Sequence, residues 1–223
     1  MFDTIIVSGG NIQSGFALDF LRKIITETGR ENIRLVAADK GLEFFMETGI
    51  RPDMAVGDFD SLSVAGQEYL SREKEIQIIR LKPEKDDSDT QSALHHAADC
   101  GAKNVLLLGA TGTRLDHVFA NVELLSLAKK QGISVTLADA NNYMMLVEFG
   151  TVLKKEEQFG KYVSFFPVGG DVTGLTLEGF KYPLCRHHLQ VCDCGLTVSN
   201  EIKEKTARIT FDSGELLMIM SRD

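Results

Sequence analysis

The sequence contains no tryptophan, four prolines and four cysteines among 223 residues. Four cysteines (Cys100, Cys185, Cys192 and Cys194) cannot staple a chain of this length, which excludes a disulfide scaffold. No apolar run approaches the ~20 residues that a membrane-spanning helix needs. The first residues lack a basic stretch ahead of an apolar one and run straight into Gly9-Gly10, so no secretory signal is expected. Basic charge is scarce: 24 Lys and Arg against 32 Asp and Glu give a net charge of −8. No lysine/arginine stripe dense enough for non-specific binding to a nucleic acid or an anionic membrane occurs. Repeats and low-complexity tracts are absent as well. The chain is expected to be a soluble cytoplasmic protein.

What is present is ordinary globular material. Hydrophobic residues make up 43% and charged residues 25%, which excludes a disordered chain. A chain of this length buries roughly 70% of its unfolded surface, enough for one large core or two small ones. Up to about residue 140, aliphatic runs alternate with amphipathic stretches. Strands are predicted at Thr4–Val7, Ile33–Ala37, Met54–Val56, Ile76–Leu81, Val105–Leu108 and Ile133–Ala138. Helices are predicted over Phe16–Thr28, about Thr90–Asp99 and about Leu115–Gln131. That alternation implies βαβ units and a mainly parallel α/β sheet over residues 1–140. Residues 141–223 show only strand-like runs: Tyr143–Phe149, Tyr162–Phe166, Val172–Leu177, Gly195–Val198, Ala207–Phe211 and Leu216–Met220. They predict a small all-β sandwich or barrel.

The polar and glycine-rich clusters of the first part all follow predicted strands: Ser8–Gly10, Asp39, Asp58/Asp60, Asp86/Asp89 and Gly109–Arg114. In an open α/β sheet the carboxyl ends of parallel strands share one edge, and ligands bind in the crevice there. Segments distant in sequence are thus expected to supply one site. Asp58 and Asp60 are two apart, which on an extended chain points both to one face. Two carboxylates ~4 Å apart repel by ~4 kcal/mol at an effective dielectric of ~20. Gathering several is unfavourable unless a cation arrives, and Mg²⁺ suits an oxygen site shared with substrate phosphates. Helix capping competes for Asp86–Asp89, because Ser88 and Gln91 have capping-box spacing. Gly109-Ala110-Thr111-Gly112, between strand and helix, has the small residues that let backbone N–H groups approach a phosphate. It is neither a Walker A loop nor G-x-G-x-x-G. Arg114 is suited to hold phosphate oxygens, with Asp116 and His117 beside it.

Two further features read as structural. Cys185, His187, His188, Cys192 and Cys194 match no usual structural-zinc spacing, and Cys192 and Cys194 are expected to share a strand face as small core residues. Met144, Met145, Met218 and Met220 are expected to fill the core.

Taken together, four segments resemble one family. Ala38-Asp39-Lys40-Gly41 with Arg51-Pro52-Asp53-Met54-Ala55-Val56-Gly57-Asp58-Phe59-Asp60-Ser61 resembles the N-terminal signature of thiamine pyrophosphokinases. Lys85-Asp86-Asp87-Ser88-Asp89 is similar to that family's K-D-x-T-D segment, and Gly109–His117 to its G-A-x-G-G-R-x-D-H loop. Gly195-Leu196-Thr197-Val198-Ser199-Asn200-Glu201 resembles the S-N-E segment of its vitamin-binding domain. Lys40, Ser88 and Thr113 depart from the usual residues, but no acid and not Arg114 is lost. The resemblance implies ATP-dependent pyrophosphoryl transfer to the hydroxyl of thiamine, giving thiamine diphosphate and AMP. It implies Mg²⁺ held by Asp58, Asp60 and Asp89, and a reacting centre lined by Asp39 and Asp86 with Arg114. It implies nucleotide contacts from Gly109, Ala110, Thr111, Gly112, Arg114, Asp116 and His117, and thiamine contacts from Ser199 and Asn200. A homodimer with thiamine at the interface is also implied, with residues 1–140 catalytic and 141–223 a thiamine-binding β-sandwich. The alternative acceptor is another alcohol such as a hydroxymethylpterin. A non-catalytic sensor would be expected to have lost acids, and a phosphohydrolase would consume ATP without an acceptor.

Overall fold

A computed structural model describes residues 1–223 apart from Pro83, Lys85, Thr113 and Cys194. The Lys85 and Thr113 positions of the motifs, and Cys194, therefore lie outside the described residues. The chain divides into two compact units, Met1–Ala140 and Asn141–Asp223.

The first unit alternates strand and helix: β1 (Thr4–Val7), α1 (Ser14–Thr28), β2 (Arg34–Ala38), α2 (Gly41–Thr48), β3 (Met54–Gly57), α3 (Val64–Arg72), β4 (Gln77–Arg80), α4 (Asp89–Asp99), β5 (Asn104–Leu108), α5 (Leu115–Lys130) and β6 (Ser134–Ala138). The six strands are parallel in the order β4-β3-β2-β1-β5-β6. Every residue of β1 and β3 is buried, as continuous apolar runs covered on both faces by helices should be. In α1, Ala17, Leu21 and Ile24 are buried at helical spacing, and Gly29 ends the helix with φ 87°. The α4 start carries the cap that the Ser88–Gln91 spacing predicts, with Ser88 Oγ accepting from the Gln91 N–H at 3.2 Å. From β1 the chain lays down β2, β3 and β4 to one side, then returns to place β5 and β6 on the other. The strand order thus reverses between β1 and β5, and their carboxyl ends open the crevice in which such sheets bind ligands.

The second unit is antiparallel: β7 (Asn142–Leu146), β8 (Val152–Lys154), β9 (Tyr162–Glu178), β10 (Leu184–Leu189), β11 (Thr206–Thr210) and β12 (Ser213–Ser221). Two of the predicted runs, Tyr162–Phe166 and Val172–Leu177, belong to the single 17-residue strand β9. Its first half pairs with β12, and beyond Gly169-Gly170 it pairs with β10 and β11. One strand passing through two sheets closes a core of Val163, Phe165, Leu175, Leu177, Leu189, Ile209, Leu216 and Met218. Met144 and Met220 are buried and Met145 packs against this core.

Two expectations for this unit are corrected, and two strands are added. Gly195–Val198 forms turns instead of a strand: Thr197 exchanges bonds with Phe165, donating Oγ1 to its carbonyl at 2.5 Å and accepting its N–H at 3.1 Å. Strand-like composition there serves one anchor point and not a ladder. The strands β8 and β10 lack the apolar alternation that reveals a strand. Cys192 is exposed in a turn after β10, closed by Asp193 Oδ2 accepting from the Gln190 N–H at 2.8 Å, so it is not a core residue on a strand.

Candidate functional site

The acids of the first unit sit where strands end. Asp39 follows β2 with φ 47°, and its N–H donates to the Val56 carbonyl at 2.8 Å. Left-handed backbone is tolerated by aspartate better than by most residues, and here it turns the chain from β2 into α2. Gly57 lets the next strand end come close, because a Cβ there would lie 3.0 Å from Asp39 Cα. After β3 the chain reads Asp58-Phe59-Asp60, and it is not extended: Phe59 has φ 63° and is buried. The two acids face one site because Phe59 turns inward in the left-handed region. That replaces the extended-chain argument for Asp58 and Asp60. The turn is closed by the Asp60 N–H donating to Asp58 Oδ1 at 3.1 Å. It is pinned farther on by the Ser63 N–H donating to Glu43 Oε1 at 2.7 Å, which holds the Glu43 carboxyl below its ordinary range.

Asp39, Asp58 and Asp60 converge, each with an oxygen within 4.8 Å of the others. Ser61 Oγ donates to Asp39 Oδ2, while Asp39 Oδ1 is buried and makes no hydrogen bond. The Asp60 carboxyl is pushed above its ordinary range, chiefly by the Asp58 charge, then by partial desolvation and by Asp39 and Asp89. Asp89, at the head of α4, is thus within electrostatic reach of the group. Asp86 is exposed in the same β4–α4 connection, and no contact among the described residues ties it to the other acids. Hard oxygen donors, an orphaned carboxylate oxygen and mutual repulsion together fit a divalent cation such as Mg²⁺. Among the described residues this is the one such group of three; the histidines and cysteines of the second unit form none.

The glycine loop lies at the reversal point of the sheet. Gly109 has φ 66°, and a Cβ on it would stand 2.3 Å from the Ser8 carbonyl oxygen. Gly10 meets the same constraint from the other side, since its Cβ would be 2.3 Å from the Gly109 oxygen. The Gly10 N–H donates to that oxygen at 2.9 Å. The loops after β1 and β5 are thus in backbone contact, which leaves little side-chain bulk above the crevice. Gly112 and Thr111 continue the loop, and Thr111 Oγ1 donates to Asp139 Oδ2 at 2.7 Å. Ala110 is buried, and its carbonyl accepts from Asn121 Nδ2 at 2.7 Å. Arg114 caps no backbone group; it pairs with Asp116 through Nε–Oδ1 at 3.2 Å and a second nitrogen to Oδ2 at 2.6 Å. That fork raises the arginine's pKa and lowers the aspartate's, and both side chains are exposed, as is His117.

Four supporting residues escape sequence reasoning. Ser61 holds Asp39, Asn121 holds Ala110, Asp139 holds Thr111, and Thr90 meets Ser8 through hydroxyls 2.6 Å apart. Asn121 carried a signal, being a poor helix former on the buried face of α5. The others are small or common polar residues without distinguishing spacing.

In the second unit, Ser199 is exposed with φ 56°, and its N–H donates to Ser164 Oγ at 2.9 Å. Asn200 is buried, with its side chain turned to the Tyr182 backbone.

Comparison with known proteins agrees with both halves. Residues 27–137 match the family model described as thiamin pyrophosphokinase, catalytic domain, and residues 151–216 match thiamin pyrophosphokinase, vitamin B1 binding domain. The chain is 34% identical over 194 residues to the thiamine pyrophosphokinase of Bacillus subtilis strain 168, covering 86% of this chain and 89% of that protein. The crystal structure of a Bacillus subtilis thiamine pyrophosphokinase superposes with TM-score 0.84 at 30% identity, covering 99% of each chain. The thiamin pyrophosphokinase from Candida albicans shares the fold at 15% identity, with TM-score 0.78 over 100% of this chain and 90% of its own.

Proposed function

This chain belongs to the thiamin pyrophosphokinase family, and on that premise we propose that it transfers a pyrophosphoryl group from ATP to thiamine, giving thiamine diphosphate and AMP. The observation that carries the reading is the acid group at the strand ends beside a close-packed glycine loop, in a chain that also contains a vitamin-binding unit. The thiamine hydroxyl oxygen bonds to the β-phosphorus of ATP. The bond from that phosphorus to the α–β bridging oxygen breaks, AMP leaves with the oxygen, and the hydroxyl proton goes to an edge carboxylate, Asp39 or Asp86. Such transfers need in-line positioning and charge neutralisation more than covalent help. Asp58, Asp60 and Asp89, with the unpartnered oxygen of Asp39, would hold Mg²⁺. Bound there, the ion would supply charge neutralisation at the phosphates. Backbone N–H groups of Gly109–Gly112 and the N-terminal end of α5 meet the phosphates, and Arg114 exchanges part of its fork with Asp116 for phosphate oxygens.

The turn segment around Ser199 takes thiamine. Exposed Val191, Leu196 and Val198 near it in sequence support a homodimer that places thiamine between subunits. No helix among the described residues is long and apolar enough to cross a membrane. Cys100 and Cys185 are free thiols, which supports a reducing compartment such as the cytoplasm.

Chromatographic quantification of AMP, ADP and thiamine diphosphate, with and without thiamine and Mg²⁺, tests the reaction. Equal AMP and thiamine diphosphate, formed only with both present, is the expected result. ADP with thiamine monophosphate would overturn the pyrophosphoryl step.

A further inference from the structure

Lys40 stands where packing gives a lysine no return. It occupies the position before α2 with φ −58° and ψ −15°, it is exposed, and its side chain caps no backbone group. Helix starts favour short oxygen-bearing residues there, and the positive end of the helix dipole repels an ammonium. No carboxylate compensates, because among the described residues Lys40 Nζ makes no ion pair and no hydrogen bond. The two acids beside it are engaged elsewhere. Asp39 Oδ2 accepts from Ser61 Oγ, and Glu43 is held below its ordinary range chiefly by the Ser63 N–H at 2.7 Å and last by the Lys40 charge. Residues that break local rules without a structural gain concentrate at functional sites.

The surrounding backbone nevertheless fixes where this lysine lies. A Cβ on Gly9 would be 2.9 Å from Lys40 Cβ and 3.4 Å from its backbone nitrogen, so the lysine stem starts directly against the loop after β1. A Cβ on Gly41 would overlap the Val7 carbonyl, which presses the start of α2 onto the end of β1. In the sheet order β3-β2-β1-β5, the end of β1 lies between the acids after β2 and β3 and the glycine loop after β5. Gly10, next to Gly9, already bonds to Gly109. Lys40 thus occupies the gap between the two halves of the site, with Asp39 before it on the chain and Gly9 under its stem.

We propose that Lys40 binds the α-phosphate of ATP and offsets the charge that collects on the α–β bridging oxygen as AMP departs. This rests on the reading that the nucleotide runs from the glycine loop to the acid group. Along that line the glycine loop takes the nucleoside end and the acid group stands at the transferred pyrophosphoryl end. The α–β bridge then falls over Gly9, within the sweep of the Lys40 side chain. The ammonium keeps its proton throughout; the hydroxyl proton of thiamine still goes to a carboxylate. A compact charge on a flexible stem can follow a phosphate as it leaves, and stabilising charge that develops in the transition state raises kcat.

The test compares the wild type with Lys40→Met, Lys40→Arg and Lys40→Gly. Methionine keeps the stem without the charge, arginine keeps the charge, and glycine is a second charge-free variant that suits a helix start. Initial rates are measured at saturating thiamine, with AMP and adenosine as inhibitors against ATP. Both charge-free variants are expected to lose about tenfold or more in kcat, with the KM for thiamine unmoved. Inhibition by AMP weakens about tenfold while inhibition by adenosine, which has no phosphate, stays the same. Lys40→Arg retains most of both. Without nucleotide, the charge-free variants should melt no lower than the wild type, because the repulsion at the start of α2 is gone. Parallel weakening of AMP and adenosine would overturn the phosphate contact, and so would a lower melting temperature that accompanies the loss of kcat in both charge-free variants. Charge-free variants that match an active wild type in kcat and AMP inhibition would overturn the role of Lys40 alone. A wild type that forms neither AMP nor thiamine diphosphate would overturn it together with the reading beneath it.

Discussion

In the first unit the carboxylates of Asp39, Asp58 and Asp60 crowd one another at the ends of β2 and β3; in the second, several carboxylates each face a base. Asp171 lies 3.0 Å from His188 Nε2, Asp212 2.8 Å from Arg186 and Glu201 2.8 Å from Lys181. The titration directions follow. Asp60 is pushed up by Asp58, whereas Asp171 is held down by the Val191 N–H and His188, and Glu201 by Lys181. A fold can neutralise an acid internally, as the second unit does for Asp171, Asp212 and Glu201. Where it leaves them crowded, positive charge comes from outside, and that is where metal and phosphate chemistry is to be sought.

The sharpest way to break this contrast is Asp60→Asn. Replacing one charged carboxylate of the proposed cation site by a neutral amide is expected to cut turnover about 100-fold or more. Stability should move the other way. A raised carboxyl pKa means the folded chain binds the proton more readily than the unfolded one. That contribution is full below the ordinary value of 3.8 and is lost as pH rises through the folded value. At neutral pH and without divalent cation, the variant should therefore melt no lower than the wild type, and Mg²⁺ should raise the melting temperature of the wild type only. Near-normal turnover in Asp60→Asn would remove this residue from the metal site.

Gly10→Ala tests the close approach at the sheet reversal. Its Cβ would meet the Gly109 oxygen at 2.3 Å, a backbone overlap expected to cost about 1–3 kcal/mol in denaturant titration. Gly195→Ala in the second unit meets nothing within 4 Å and should stay within about 0.5 kcal/mol of the wild type. Equal losses would mean that the β1–β5 contact is not what Gly10 is there for.

Asp171→Asn probes the compensated pattern. Its carboxyl is depressed, so its contribution is present above the ordinary value of 3.8 and lost as pH falls through the folded value. The variant should melt slightly below the wild type at neutral pH, and the gap should close in acid. A gap that persists in acid would assign the effect to packing. The smallest effect belongs to Lys181→Met, which breaks an exposed pair with Glu201; thermal melts at low salt and at ~0.5 M salt should show a slight loss that salt removes.

Legibility differed between the units for a physical reason. Thr4–Val7 and Leu115 onward were readable because parallel strands are buried on both faces and their helices carry apolar residues at helical spacing. Ser88 was readable as a cap from its spacing to Gln91. In the second unit, Gly195–Val198 has strand composition and makes turns, while Leu184–Leu189, rich in polar residues, makes a strand against β9. An antiparallel edge takes its pairing from its neighbour's register, which local composition does not carry.

The order of strands and helices in the first unit, the acids after β2 and β3, and the glycines after β5 follow from the sequence, because burial period and turn chemistry are local. Only the tertiary structure decided how closely Asp39 approaches Asp58 and Asp60, that Phe59 turns inward so that both acids share a site, and that Asn200 spends its amide on Tyr182. Each of these depends on which distant backbone groups come within hydrogen-bond distance. That is a property of strand order and register, and no single segment of the chain contains it.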